Sequence, residues 1–184
     1  MKKKVEKFAA SIITSNLDTT KHLHGTISYN GRYYVTDSYR ALEVEYPIPG
    51  FPVINSGHMG KRIEDIFNKA EEGNKTMHPI PSASEIKKGI ADLVGRKMDD
   101  VVLRIAGDSH PSVYPAVNAR FLRDAVQALN CKVCYFDESE RFRYMYLYEE
   151  DWLQSVVRHV ILPIYDMHDR TGFWVLERKE TANR

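Results

Sequence analysis

The chain has 184 residues, 43% of them hydrophobic and 28% charged, which describes a folded globular protein and excludes a disordered or fibrous one. Its 26 basic and 25 acidic residues leave a net charge of +1, so no overall field attracts it to nucleic acid or to membranes. The two cysteines are too few for a disulfide framework and indicate a reducing compartment. Because no apolar run is long enough to span a membrane, we expect a cytoplasmic protein without a membrane partner.

The first half of the sequence predicts one helix followed by three antiparallel strands. The helix is indicated by an apolar stripe at helical spacing, formed by Val5, Phe8, Ala9, Ile12 and Ile13. Residues 23–29 then alternate as in a half-buried strand. Asn30-Gly31 is a strong hairpin signal between this strand and a second one at 32–36. A third strand is predicted from Leu42 to Tyr46, where apolar residues alternate with glutamates.

The middle of the chain changes to a helical period between residues 60 and 95. One apolar stripe ends at Gly73-Asn74. A second helix opens at Ser82-Ala83-Ser84-Glu85, a capping box in which serine and glutamate bind each other's backbone N–H groups. Because residues 74–81 have the composition of a loop, we interpret the segment at about 53–98 as an inserted helical hairpin.

The second half returns to strands around one further helix. Strands are predicted at 101–105 and 113–117, and Asn118 is a good N-cap for a helix that ends near Leu129. More strands are expected near 131–136, 142–148, 160–165 and 172–176. This order indicates an α+β fold, a mostly antiparallel sheet with two amphipathic helices packed on it. We assign residues 1–165 to a single domain and 166–184 to a C-terminal extension.

Three segments of the chain carry motifs in an order that one known family shares. Tyr114 to Leu129 contains, from Asn118 onward, the pattern N-A-R/K-F/Y-L-x-D/E-A-x-x-A-L. Thr36 to Leu42 looks like T-D-x-H-R-L-A, and Leu162 to Tyr165 is similar to a closing apolar-Pro-apolar-Arg signature. In these segments the sequence resembles the bacterial sliding clamps, the DNA polymerase III beta subunits. It departs from them at Tyr39, where the family has His, and at Tyr165, where it has Arg. A clamp subunit also has three such domains, and this chain has room for one.

The resemblance implies a non-catalytic DNA-replication accessory factor that needs no cofactor. Such a protein would self-associate as a homo-oligomer around double-stranded DNA, dock a replication protein, or do both. In the family, helices line a hole with Lys and Arg facing the phosphates, and this implies DNA-facing candidates at Lys3, Lys4, Lys7, Arg120 and Arg123. The alternative for these residues is an ordinary solvated helix face. Since the net charge is small, we expect a lone monomer to bind DNA poorly.

The resemblance also implies a hydrophobic pocket that captures short peptides of replication proteins. Its candidate residues, carried over by motif, are Thr36, Ser38, Tyr39, Arg40, Ala41, Leu162, Pro163 and Ile164. In the family the two motifs belong to adjoining domains, so for one domain we expect a complete pocket to require two protomers meeting head to tail. The alternative for residues 36–42 is a strand, a turn and a strand with a satisfied aspartate.

Two other functions stay open from the sequence. One is a stand-alone protein-interaction module that keeps the fold without forming a ring. The other is a small metal-dependent hydrolase built around His22 and His24, which share one face of a strand, together with the Asp-rich loops. No third ligand is near them in sequence, so we predict no metal site.

The cysteines and the tyrosines have simpler interpretations. Cys131 and Cys134 are separated as on a strand whose successive side chains alternate, and we predict packed core thiols that point to opposite faces. The sequence is dense in tyrosines at residues 33, 34, 144, 146 and 148. We predict that they form a sheet face rather than a platform on which bases of a single strand stack.

Overall fold

A computed structural model describes residues 3–15, 23–72, 75–92, 102–106, 117–137, 144–148, 157–162 and 173–177. Within these ranges the helices are α1 (Lys3–Ile13), α2 (Gly57–Glu72), α3 (Ala83–Asp92) and α4 (Ala119–Leu129). The strands of the first half are β1 (Thr26–Tyr29), β2 (Arg32–Thr36), β3 (Arg40–Val44), β4 (Val53–Asn55) and β5 (Thr76–Pro79). Those of the second half are β6 (Val102–Ala106), β7 (Val117–Asn118), β8 (Val133–Phe136), β9 (Met145–Tyr148), β10 (Arg158–Ile161) and β11 (Phe173–Glu177).

Eight of these strands form one sheet in the order β4-β1-β2-β3-β10-β9-β8-β5. Every described pair in it is antiparallel except β1 with β4. A smaller sheet has the order β11-β6-β7, with β11 parallel to β6. The two halves of the chain meet at the centre of the large sheet, where β3 pairs with β10 and Leu42 stands opposite His159. The predicted α+β class with a mostly antiparallel sheet is confirmed.

Local signals in the sequence account for the ends of these elements. Asn30 and Gly31 both have positive φ angles, 48° and 74°, as a tight two-residue hairpin between β1 and β2 requires. The Ser82 backbone N–H donates to Glu85 Oε2 at 2.7 Å, and the Glu85 N–H donates to Ser82 Oγ at 3.3 Å, so the predicted capping box opens α3. Asn118 caps α4 by accepting the Arg120 N–H at 2.9 Å.

Both faces of the large sheet are covered by helices. On one face, α1, α3 and α4 bury their apolar stripes in the main core together with β2, β3, β8, β9 and β10. On the other face, α2 places Ile63 and Phe67 against Ile27, Tyr34 and Val160. Since α1 and α4 contact each other within one core, they lie side by side on one sheet face.

The predicted inserted helical hairpin is wrong. Its two helices lie on opposite faces of the sheet, and the residues between them form β5, which pairs with β8. Residues 76–79 have a loop-like composition because they form an edge strand, where Pro79 is tolerated. The segment at 53–79 supplies both edge strands, β4 and β5, so it is an integral part of the sheet.

The predicted third strand, in which apolar residues alternate with glutamates, is buried on both of its faces. All five residues of β3 are buried, including the charged Glu43, because α2 covers the face that the alternating glutamates suggested was open to solvent. Part of the predicted C-terminal extension is the strand β11, which pairs with β6. Most of the predicted strand at 113–117 lies outside the described residues, which begin again at Val117.

Candidate nucleic-acid interface and peptide-binding segment

Three helices form one layer over the main core, with α4 between α1 and α3. The sides of these helices that turn away from the sheet carry exposed basic residues. We call this set the basic face, and it consists of Lys3, Lys4, Lys7, Lys87, Lys88 and Arg120. The predicted DNA-facing residues on α1 and α4 are therefore brought together in one layer, although Arg123 is only partly exposed and is not counted in the basic face.

Arg123 is engaged by its neighbour in the chain. Its Nε donates to Asp124 Oδ1 at 2.9 Å, and the two side chains are only 20% and 25% exposed. This ion pair neutralises the charge that Arg123 would offer to a phosphate. On α1, Glu6 similarly accepts a hydrogen bond from the Tyr46 hydroxyl at 3.1 Å.

The sequence prediction missed the contribution of α3 to the basic face. Lys87 and Lys88 are exposed, while Ile86 and Ile90 of the same helix are buried in the main core. The polar stripe of this helix was visible in the sequence. Its position was not, because α3 was interpreted as one arm of an insert and its packing against α4 is a tertiary contact.

The helix on the opposite face of the sheet has no comparable excess of charge. The exposed basic residues of α2 are interspersed with acidic ones, since Lys61, Arg62 and Lys69 share the helix with Glu64, Asp65 and Glu72. The layer formed by α1, α4 and α3 contains seven basic and four acidic residues, whereas α2 contains three basic and four acidic ones, although the chain as a whole is nearly neutral.

The predicted peptide-binding segment begins with a tight turn between β2 and β3. Asp37 Oδ1 accepts the backbone N–H groups of Tyr39 at 3.2 Å and Arg40 at 3.1 Å, and its Oδ2 accepts Arg40 Nε at 2.9 Å. Thr36 Oγ1 donates to the Arg40 carbonyl at 2.8 Å. Ser38 has a φ of 72°, a left-handed conformation that these bonds hold in place. The alternative of a turn with a satisfied aspartate therefore describes the local geometry.

The second predicted segment lies directly beside this turn. Ile161 stands opposite Arg40, and the Leu162 N–H donates to the Tyr39 carbonyl at 2.9 Å. Leu162 of the second motif therefore contacts the turn of the first motif within one chain, while the expected head-to-tail pocket of two protomers stays a prediction. Pro163 and Ile164 lie outside the described residues.

The residues of the predicted pocket divide into a buried and an accessible group. Thr36, Arg40 and Ala41 are buried, Leu162 is half-buried and Ser38 is exposed. Tyr39 is 50% exposed, one of the most exposed large apolar side chains in the described chain, and its ring lies 6.4 Å from that of Phe121 on α4. A ligand at this place would contact Tyr39 and Leu162 first.

Arg40 is an internal anchor of the turn. Its guanidinium carbon lies 4.2 Å from the ring centroid of Phe121 on α4 and 5.7 Å from that of Phe8 on α1. With an exposed fraction of 4%, the side chain is enclosed by these rings and by Asp37. Arg40 thus ties the turn to both helices and is not available to a ligand on the surface.

The residues proposed for metal or thiol chemistry are placed as follows. His24 is exposed, whereas His22 and the Asp-rich loops (Asp99, Asp100, Asp166 and Asp169) lie outside the described residues. Within the described ranges, no three His, Cys, Asp or Glu side chains are grouped so that they could hold a metal ion. Cys131 and Cys134 are buried thiols that form no disulfide, as predicted, but both lie in the main core and not on opposite faces. Burial raises the pKa of the Cys134 thiol above its ordinary value, so this thiol is unreactive at neutral pH.

The tyrosines lie on the sheet, but they do not share one face as predicted, because Tyr33 packs on the main core and Tyr34, Tyr144, Tyr146 and Tyr148 lie on the face covered by α2. Tyr34 is fully buried beneath α2, where its ring stacks on Phe67 at 5.8 Å, and burial raises its pKa to about 12. The Tyr146 hydroxyl donates to the Ile66 carbonyl of α2 at 3.0 Å. Because α2 covers Tyr34 and Tyr146, these rings are not accessible to bases.

No model of a known protein family matches this chain, and no curated protein matches it either. None of the helices in the described ranges is both long enough and apolar enough to cross a membrane.

Proposed function

We propose that the protein is a non-catalytic DNA-replication accessory factor, similar to a sliding clamp, that holds double-stranded DNA against the layer of α1, α4 and α3. The observation that carries this proposal is the basic face, in which exposed Lys and Arg side chains from three adjacent helices lie on the same side of one sheet. The motifs of residues 36–42, 114–129 and 162–165 led to the same function independently of this charge distribution.

The basic face suits contacts with phosphates that do not depend on base sequence. Packed helices lie about 8–10 Å apart, so three of them span roughly the width of a DNA duplex. Lysines on flexible stems bind phosphates as point charges and carry no sequence information. A surface of this kind holds DNA weakly, and retention would come from assembly of several copies around the duplex.

The edges of the large sheet support such an assembly. In the described chain, β4 and β5 end the sheet on opposite sides, and each presents an exposed apolar side chain. Val53 on β4 is 48% exposed, and Met77 on β5 is 61% exposed. Unpaired strand edges are templates for pairing with another chain, and two different edges that meet head to tail generate a closed ring if the rotation permits.

Charge reversal on the basic face tests the proposal. We expect a variant with Lys3→Glu, Lys7→Glu and Arg120→Glu to bind duplex DNA at least tenfold more weakly than the unmodified chain. Its affinity should also depend less on salt, because each lost phosphate contact makes the plot of log K against log salt less steep by about 0.9. Fluorescence anisotropy of a labelled duplex over a salt series measures both quantities. The control is Lys61→Glu, Arg62→Glu and Lys69→Glu on α2, which changes the net charge equally.

Two results would contradict the proposal. Equal loss of affinity in the α2 control would mean that net charge alone governs binding. If the unmodified protein sedimented as a monomer at all concentrations, with and without DNA, ring formation would be excluded. The charge-reversed variant should keep the oligomeric state of the unmodified protein, because its substitutions lie away from both sheet edges.

A second candidate, a peptide-docking module, is favoured by the contact between the two predicted pocket segments. The exposed Tyr39 ring and the half-buried Leu162 are held together by a backbone hydrogen bond within a single chain. We expect a short apolar peptide of the kind that binds sliding clamps to bind the monomer saturably, and Tyr39→Ala to weaken binding about tenfold by removing an aromatic contact. Isothermal titration calorimetry measures this, with the exposed Tyr39→Phe as the matched control. Absence of binding to the monomer would reject this candidate.

A further inference from the structure

His159 is a fully buried polar residue at the centre of the main core. It lies on β10 opposite Leu42 and Leu147 of the neighbouring strands. The ring of Phe8 on α1 covers it edge to face, with the two ring centroids 5.1 Å apart. In the described part of the chain, neither imidazole nitrogen makes a hydrogen bond of good geometry, although the backbone of Ala41 lies close enough to favour the protonated ring weakly. Such a residue is unusual in a core, because an unpaired buried polar group lowers stability.

The charged groups that face His159 do not favour protonation of its imidazole, because one of them is already positive. From β3, the guanidinium of Arg40 acts on the imidazole, and its Nη1 is also without a partner among the described residues. The nearby carboxylate, Asp37, is already occupied by Arg40 and by the turn.

Among the described residues, the other elements packed on His159 offer no counter-ion. On α1, the acidic residue Glu6 is bound to Tyr46, and Lys4 and Lys7 point to solvent. On α4, the acidic residue Asp124 is bound to Arg123, and the helix contributes the apolar Phe121 and Leu122 to the core. The side chain that β9 places opposite His159 is Leu147.

These surroundings keep the imidazole neutral while α1 is in place. Burial, and then the positive charge of Arg40, lower the pKa of His159 well below its ordinary value. When α1 leaves the sheet, water reaches the ring, and the group regains an ordinary pKa of about 6.5. The open state therefore takes up a proton in mildly acid solution, whereas the closed state does not.

The helix α1, whose Phe8 ring covers His159, is able to leave the sheet. It is held by the packing of side chains, mainly Val5, Phe8, Ala9, Ile12 and Ile13, and not by strand pairing. The strands β3 and β10, by contrast, are hydrogen-bonded to neighbours on both sides. Local opening begins in elements with few such constraints.

We propose that His159 and α1 form an acid-sensitive latch, in which protonation of the imidazole detaches α1 from the sheet while the strands stay paired. The latch depends on the geometry of the core and not on the proposed DNA interface. Since only the open state binds the proton, stability of the closed state is fully present above pH 6.5 and falls as the pH decreases below it. The ratio of open to closed molecules should rise about thirtyfold between pH 8 and pH 5.

Amide hydrogen exchange, corrected for the pH dependence of the intrinsic rates, tests the latch. In the unmodified protein, the protection factors of peptides from α1 should fall by up to about thirtyfold between pH 8 and pH 5. The protection factors of peptides from β3 and β9 should stay constant over the same range. His159→Leu should remove this pH dependence, because an apolar side chain of similar size has no proton to bind. His159→Gln provides a second non-titrating variant if the leucine variant does not fold. His58→Gln, which changes an exposed histidine on α2, should behave like the unmodified protein.

Three results would overturn the latch. One is protection of α1 that stays constant down to pH 5. Another is equal loss of protection in the variants without an imidazole at residue 159. The third is a parallel loss in the α1, β3 and β9 peptides, which would indicate global unfolding in acid.

Discussion

Replacement of Glu43 by alanine is expected to lower the free energy of unfolding by about 3–5 kcal/mol, because it removes the carboxylate that a buried arginine binds. Arg158 Nε donates to Glu43 Oε2 at 2.8 Å, and Arg158 Nη2 binds the same oxygen. Glu43 is 1% exposed and Arg158 is 8% exposed, so water cannot replace the lost carboxylate. The guanidinium also lies 5.2 Å from the ring of Phe67, which fixes it beneath α2.

Urea denaturation followed by circular dichroism measures this loss. The matched control is Asp124→Ala, which breaks the partly exposed pair with Arg123 and should change the free energy of unfolding by at most about 1 kcal/mol. The double variant Glu43→Leu, Arg158→Met removes both charges and should lose less stability than Glu43→Ala alone. A Glu43→Ala variant that is no less stable than the Asp124→Ala control would show that the ion pair is not buried as described.

Replacement of Asp37 by alanine is expected to lower the free energy of unfolding by about 3–5 kcal/mol. This carboxylate acts on the face of β3 opposite to Glu43. The Asp37 carboxylate accepts two backbone N–H groups of the turn and the Nε of Arg40, which is 4% exposed. Without the carboxylate, a charged guanidinium stays enclosed between Phe8 and Phe121, and two backbone donors lose their acceptor. The same denaturation experiment measures the loss.

Two variants of the same turn separate the causes. Asp37→Asn keeps one oxygen for the backbone donors but not the charge. Its free energy of unfolding should therefore lie between those of the unmodified protein and Asp37→Ala. Ser38→Gly should be neutral or stabilising by up to about 1 kcal/mol, because glycine adopts the left-handed conformation at φ 72° without strain. If Asp37→Asn were as stable as the unmodified protein, the charge on Asp37 would have no role in holding Arg40.

The elements that were predictable from the sequence depend on local chemistry. The hairpin at Asn30-Gly31, the capping box at Ser82 and the N-cap at Asn118 each satisfy backbone groups within a few residues. The burial of Glu43 was not predictable in this way. A glutamate in an alternating strand indicates a face exposed to solvent. Glu43 is buried instead because it pairs with Arg158, 115 residues away in the chain, and because α2 covers this face of the sheet.

The candidate site was predictable in part. Amphipathic spacing predicted that the lysines of α1 and Arg120 of α4 point outward from the core. The prediction that they share one face of the molecule was based on the family resemblance. Lys87 and Lys88 were missed because the packing of α3 beside α4 depends on β5 joining the far edge of the sheet. The ion pair of Arg123 with Asp124 depends on rotamers that spacing does not determine.

The pairing of β3 with β10 has a consequence for how the chain folds. The central ladder of the large sheet joins residues 40–43 to residues 158–161, so neither half of the chain completes the sheet alone. Contacts between residues so distant in sequence require closure of a long loop before they contribute any stability. Proteins dominated by such contacts fold on the millisecond-to-second timescale, and until β10 arrives the apolar edge of β3 is open to pairing with other chains.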